Sequence, residues 1–192
     1  MSERLEDVKI ICANEAYQKV LYWFFSFPYK EISLSKLAKE LKISKTSANR
    51  AIRLLAKEEF LNKKIVGKSW LISCNKIHKY NRTKKIVYNL SMIFNSNIID
   101  IIQRKFKGAK SIILFGSYRK GDDIESSDID VAVEVLGEES FRIEELGVIK
   151  NFGFRKNVLV NLHIFSRKSI NLNLFSNIAN GLILDGFLEV ER

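Results

Sequence analysis

The chain reads as a mixed α/β protein of two joined modules: a small helical one closed by a β-hairpin, and one in which a mixed sheet is flanked by helices. Three observations predict this. Charge is segregated: residues 1–110 hold 23 Lys and Arg against 9 Asp and Glu, a balance of +14, while residues 111–192 hold 9 against 13, a balance of −4. Apolar residues recur at helical spacing through the first half and alternate along strands in the second. The 192 residues, 46% hydrophobic with a single proline, suffice for one or two small cores and leave no evident flexible linker.

The expected boundaries are a first module over residues 1–75, a connecting helix over 76–95 and a second module over 96–192. The longest apolar run, Val20 to Phe27, is too short to span a bilayer and is interrupted by Ser26. The charged start of the chain is unlike a signal peptide, so the expectation is a cytoplasmic protein with no membrane partner. Cys12 and Cys74 lack metal-ligand spacing and are expected as reduced thiols, with no structural zinc.

In the basic half, residues 15–26 form an amphipathic helix stopped near Pro28. Ser33 or Ser35 can cap a second helix, Lys36 to Leu41, and Ser44 a third, Lys45 to Glu59, after the short turn Lys42-Ile43. Phe60 to Val66 and Ser69 to Ser73 then read as two strands around a tight turn at Gly67-Lys68. The stretch LSKLAKELKISKTSANRAIRLLAKEEFL resembles the winged helix-turn-helix regulators, and the resemblance extends over residues 14–75. It implies double-stranded DNA as a partner, the third helix as the recognition helix, and pairing into a homodimer to read two half-sites. Outward-facing Lys45, Thr46, Ser47, Asn49, Arg50 and Arg53 offer donors and acceptors for base edges and phosphates, and Lys63, Lys64 and Lys68 set the wing near the backbone. A winged helix that binds protein and a merely solvated charged face are the competing readings.

Residues 76–107 begin with Lys76, Lys79, Arg82, Lys84 and Lys85 and continue with Ile86, Val87, Leu90, Met92, Ile93 and Phe94, which reads as one or two helices. A break at Asn95-Ser96-Asn97 precedes a further helix meant to pack on the sheet.

The most informative stretch is IILFGSYRKGDDIESSDIDVAVEV, residues 112–135. Gly116 follows a buried run, so a tight turn there can bring backbone N–H groups and the Ser117 hydroxyl up to phosphate oxygens. The next strand alternates: Ile129, Val131, Val133 and Val135 point one way, Asp128, Asp130, Ala132 and Glu134 the other. Aspartates two apart on one strand project side by side, roughly 6–7 Å apart, close enough to share Mg²⁺ or Mn²⁺ ions. Such ions neutralise triphosphate charge and align an attacking hydroxyl. Arg119 and Lys120 follow the turn, where cations can meet phosphates; the competing reading is a surface helix start with mixed charges.

Gly-Ser, ten residues and then Asp-x-Asp resembles the signature of the DNA polymerase β nucleotidyltransferase superfamily, matched by Gly116, Ser117, Asp128 and Asp130. The minimal nucleotidyltransferases of archaea and bacteria are most similar, including the antitoxin type that adenylylates its partner toxin. The resemblance covers about residues 96–190 and extends to the helix-to-strand ending Asn177 to Gly186. It implies a nucleotidyltransferase fold, ATP or another NTP as substrate, a divalent metal on Asp128 and Asp130, and an acceptor such as a toxin or other protein. The family also supplies a third carboxylate from a following strand, and here that position matches Asn161 in NVLVNLHIF. An amide carries no charge and cannot take a proton at neutral pH. His163, on the same strand face, is a candidate base or a half-buried strand histidine, and Glu134 lies on the Asp face but far along the strand. Two readings follow: a metal-dependent nucleotidyltransferase, or a winged-helix transcription regulator whose degenerate nucleotidyltransferase domain senses nucleotide.

Overall fold

The computed structural model describes residues 15–67, 69–137 and 140–189. In its first part α1 (Glu15–Ser26), β1 (Ile32–Ser33), α2 (Leu34–Leu41) and α3 (Lys45–Lys57) precede the hairpin β2 (Leu61–Val66) and β3 (Ser69–Cys74). A 3₁₀ turn (Lys79–Arg82), α4 (Lys84–Phe94) and α5 (Ile98–Lys105) follow. The second part runs β4 (Ser111–Phe115), α6 (Gly116–Lys120), β5 (Ile129–Glu134), β6 (Arg142–Phe152), β7 (Arg155–Phe165), α7 (Leu172–Ala179) and β8 (Leu182–Gly186).

Helical periodicity sets the first core. Tyr17, Val20, Leu21, Phe24 and Phe25 are buried along α1, and Ala48, Ala51, Ile52 and Leu55 along α3, each set at the i, i+3, i+4, i+7 spacing of one helix face. Fully burying one such large apolar side chain contributes ~1.5–3 kcal/mol. Ser33, not Ser35, caps α2 by accepting the Lys36 backbone N–H, so the helix starts at Leu34, two residues before the expected Lys36. Ser44 caps α3 by accepting the Ser47 N–H at 3.0 Å. The hairpin pairs Leu61 with Cys74 through Val66 with Ser69, and the two-residue β1, which sequence reading omitted, adds to the free side of β3. Cys74 is a buried free thiol whose pKa burial pushes up to about 11; Cys12 lies outside the described residues.

Residues 111–186 build a five-stranded mixed sheet in the order β6-β7-β5-β4-β8, in which β5 and β7 are the parallel pair. Ile93 of α4 and Ile98 and Ile102 of α5 cover one face, against Ile112, Leu114, Val131, Val133, Leu162 and Ile164. Ile178 of α7 covers part of the other, against Ile113, Phe115, Ala132 and Phe165.

That second layer corrects the single acidic face expected for β5. Ala132 is fully buried, and Glu134 is only 2% exposed, bonded to Arg167 at 2.7 Å and Ser111 at 3.0 Å. Asp128, just before β5, and Asp130, near its start, reach solvent. The strand β6 was not foreseen. Its sequence, RIEELGVIKNF, mixes charges and a glycine, and it is an edge strand that needs to satisfy only one neighbour.

The two cores meet through α4, which buries Tyr88 in the first and Ile93 in the second. Beside it, a Cβ on Gly121 would overlap the carbonyl oxygen of Asn81, and the Tyr29 backbone N–H points to the Glu125 carboxylate at 3.4 Å. Among the described residues no helix is long and apolar enough to cross a membrane.

Candidate functional site

Strand register assembles the predicted residues. Phe115, the last residue of β4, pairs with Asp130 on β5, and Asp130 pairs in turn with Asn161 on β7. The chain leaves β4 through Gly116 at φ +71, a left-handed conformation that favours glycine. A Cβ there would sit 2.8 Å from Oδ2 of Asp130, so a side chain would collide with the carboxylate. Gly116 and Ser117 open the short helix α6, and no side chain caps its start. The glycine-serine turn thus faces Asp130.

Around the carboxylates the bonding is sparse. Asp128 is exposed, and Asp130 is 30% exposed. Asn161 directs its side-chain N–H at Oδ2 of Asp128 from 3.5 Å, and Nε2 of His163 lies 3.1 Å from Oδ1 of Asp130. A carboxylate only accepts, so Nε2 carries the proton in that bond, and the buried Nδ1 has no hydrogen-bond partner. The ring is held edge-on to Phe115, centroids 4.8 Å apart. With Nε2 committed to Asp130, His163 orients that carboxylate and is poorly placed as the base that sequence reading entertained. Glu134 cannot compensate for the missing carboxylate either, because Arg167 and Ser111 occupy it.

The oxygen donors of Asp128 and Asp130 suit Mg²⁺ or Mn²⁺. Mg²⁺ binds through one or two carboxylates and fills its remaining positions with substrate phosphates and water. Among the described residues no group of three or more His, Cys, Asp or Glu is placed to hold a metal. Two carboxylates with an amide beside them are oxygen donors that fit a hard cation. Arg119, in α6, is half-buried and its Nε is enclosed without a hydrogen-bond partner.

Behind the motif lies a buried polar network that sequence reading missed. Asp123 is 3% exposed. Its Oδ1 accepts from Asn89 at 2.8 Å and lies 3.3 Å from the Lys85 ammonium, both on α4, and its backbone carbonyl accepts from Lys85 at 2.5 Å. Burial pushes the Asp123 carboxyl pKa up and the Lys85 ammonium pKa down, and the opposite charge of each partner resists the shift. Arg155, the first residue of β7 and 6% exposed, bonds Tyr118 Oη and the carbonyls of Glu125 and Ser127. Nothing in the stretch GFRKN marks that arginine; the one hint for Lys85 is its apolar neighbourhood at the start of α4.

On the basic half, Lys45, Thr46, Ser47, Arg50 and Arg53 are exposed on α3, with Thr46, Arg50 and Arg53 at i, i+4, i+7 on one stripe. The Ser47 hydroxyl accepts from Ser44 at 2.9 Å and so belongs to the helix cap. Asn49 is half-buried, its side-chain oxygen enclosed without a partner. Lys63 and Lys64 are exposed on β2, with the Lys63 ammonium 5.0 Å from the Trp70 ring centroid, and Lys68 lies outside the described residues.

Residues 96–176 match the family model of the nucleotidyltransferase domain. The matched segment runs from just before α5 into α7 and takes in Gly116, Ser117, Arg119, Asp128, Asp130 and Asn161. No curated protein matches the chain.

Proposed function

We propose that the sheet module binds an NTP with Mg²⁺ and transfers its nucleoside monophosphate to an acceptor hydroxyl, while the basic module is a winged helix that holds the protein on double-stranded DNA. The observation that carries the first half is the contact of Gly116, at φ +71, with the Asp130 carboxylate. It sets the glycine-serine turn against Asp130, two residues from the exposed Asp128.

In this reading, Gly116 and Ser117 cradle the phosphates with backbone N–H groups and a hydroxyl, and Arg119 offsets their charge. Asp128 and Asp130 hold the cation, His163 fixes the Asp130 carboxylate, and Asn161 adds an uncharged oxygen. Once bound, the ion neutralises the triphosphate and stabilises charge on the leaving group. The acceptor oxygen forms a bond to the α-phosphorus, the bond from that phosphorus to the bridging oxygen breaks, and pyrophosphate leaves. The hydroxyl proton passes to solvent.

The test is pyrophosphate release from each NTP with Mg²⁺ or Mn²⁺, run with cell extract as acceptor source beside the Asp128→Asn/Asp130→Asn double variant. Label from an α-phosphate that appears on protein assigns a protein acceptor, such as a toxin partner. Binding without turnover supports the second reading, a DNA-bound regulator that senses nucleotide. Asn161 in the third-carboxylate position is the observation that favours it.

For the basic module, support comes from the exposed cations and hydroxyls of α3, its capped start and the antiparallel hairpin behind it. A homodimer reading two half-sites is part of the proposal. Binding to duplex DNA that weakens steeply with salt is the expected result. Salt-independent binding would exclude it.

A further inference from the structure

The loop between α6 and β5, residues 121–128, carries Asp128 to its place, yet contains little regular structure of its own. Four backbone or side-chain groups along it are held from outside. Lys85 takes the Asp123 carbonyl, Asn89 bonds both the Asp123 carboxylate and the Tyr118 carbonyl, and Arg155 takes the carbonyls of Glu125 at 2.9 Å and Ser127 at 2.7 Å. A shorter tie within the loop runs from the Ile124 N–H to the Ser127 hydroxyl. The other amino nitrogen of Arg155 bonds Tyr118 Oη and lies 3.9 Å from the Asp123 carboxylate. One buried guanidinium therefore touches the residue after Gly116-Ser117 and the residue before Asp128. It bridges the two halves of the motif without meeting either aspartate of the site.

We propose that Arg155 is a positioning residue that fixes Asp128 relative to the Gly116-Ser117 turn by bridging Tyr118 to the carbonyls of Glu125 and Ser127. The planar guanidinium is what makes this work: it presents several donors in a fixed fork, whereas an ammonium is a point charge that cannot hold two carbonyls and a hydroxyl at set angles. Because Asp123 completes the cluster and is itself held by Lys85 and Asn89, the position of the metal-binding loop is referenced to α4, the helix whose Tyr88 is buried in the first core. The inference rests on the nucleotidyltransferase reading for its consequence and on the hydrogen bonds alone for its geometry, and the experiment separates the two.

Mn²⁺ binding with ATP present, followed by electron paramagnetic resonance, is compared in the full-length chain and in Arg155→Met, Arg155→Lys, Asp128→Asn and Ile93→Val. Amide exchange at Ser127 to Ile129 is measured in parallel. Removing a direct partner of a metal ligand weakens metal binding about tenfold to a hundredfold. Arg155 acts on Asp128 only through the neighbouring backbone, so Arg155→Met is expected to lose affinity for Mn²⁺ at the low end of that range, about tenfold, and to exchange those amides faster. Arg155→Lys should fall between, and covers the case in which Arg155→Met does not fold. Ile93→Val thins the core without touching the loop and should leave both readouts unchanged. Wild-type Mn²⁺ affinity in a folded Arg155 variant overturns the proposal, and so does an equal loss in Ile93→Val, which would make the effect general loosening. A wild-type chain that binds no Mn²⁺ overturns the metal-site reading instead; faster exchange in the Arg155 variants then still supports the positioning role, and unchanged exchange overturns it.

Discussion

The two ends of β5 carry acids of the same strand parity with opposite fates. Asp128 and Asp130 stand at the open end with one weak or moderate hydrogen bond each, whereas Glu134, at the other end, is sealed beneath Arg167 and bonded to Ser111. Alternation places a side chain on a face of the sheet. It says nothing about what lies over that face, and here Arg167 closes over Glu134 while Asp128 and Asp130 stay open to solvent. The contrast separates acids available for chemistry from an acid spent on structure, and it can be tested from both sides.

The largest effect is expected at the open end. Asp128→Asn/Asp130→Asn should lower any Mg²⁺-dependent turnover on the order of a thousandfold, since a bound metal supplies several kcal/mol of transition-state stabilisation. Its Tm should hold or rise, because two neighbouring carboxylates no longer repel. Thermal unfolding beside the pyrophosphate assay checks both. A Tm that falls by many degrees would place these aspartates with Glu134 as structural groups.

The closed end should behave in reverse. Glu134→Gln removes a charge-assisted bond to Arg167 and weakens the bond to Ser111, which should cost about 2 kcal/mol of stability in urea unfolding, reduced to the extent that Arg167, about a third exposed, recovers water. Turnover and Mn²⁺ affinity should stay at the wild-type level. A loss of metal affinity would mean that the two ends of β5 communicate and would blur the distinction.

A smaller change is expected from Arg50→Ala/Arg53→Ala on α3. Each arginine that meets a phosphate contributes about one unit to the slope of log affinity against log salt, so the double variant should flatten that slope by about two while leaving nucleotide binding intact. An unchanged slope measured by fluorescence anisotropy would remove α3 from the proposed DNA surface.

How far the sequence reveals this molecule follows the range of the interactions. Caps, helix faces and the approach of Gly116 to Asp130 are legible because they depend on residues near in sequence or on a spacing with one good geometric solution. The Ser33 cap fell among two candidates, and local chemistry could not choose between serines two residues apart. The Lys85–Asp123–Arg155 cluster was illegible: its members lie up to 70 positions apart, each looks like an ordinary surface charge, and only packing makes them buried partners. The edge strand β6 escaped for a related reason, since a strand with one neighbour has little pattern to impose.

Asn161 is the residue on which the two readings of the open end divide. It occupies the register partner of Asp130 and gives Asp128 an N–H where a carboxylate would give the metal a charged oxygen. Asn161→Asp exchanges that donor for a third anion. Without metal the three carboxylates repel, so Tm should fall by a few degrees, about 1 kcal/mol. With Mn²⁺ and ATP present the repulsion becomes attraction to the cation, and metal affinity should rise severalfold, restoring the lost stability by linkage. If turnover rises with it, the wild-type chain is a nucleotidyltransferase slowed at one position. If affinity rises and turnover stays absent, the site holds nucleotide without transferring it, and the deficit lies outside the carboxylate set. An affinity that does not move would show that residue 161 does not face the metal, and the third-carboxylate correspondence would fail with it.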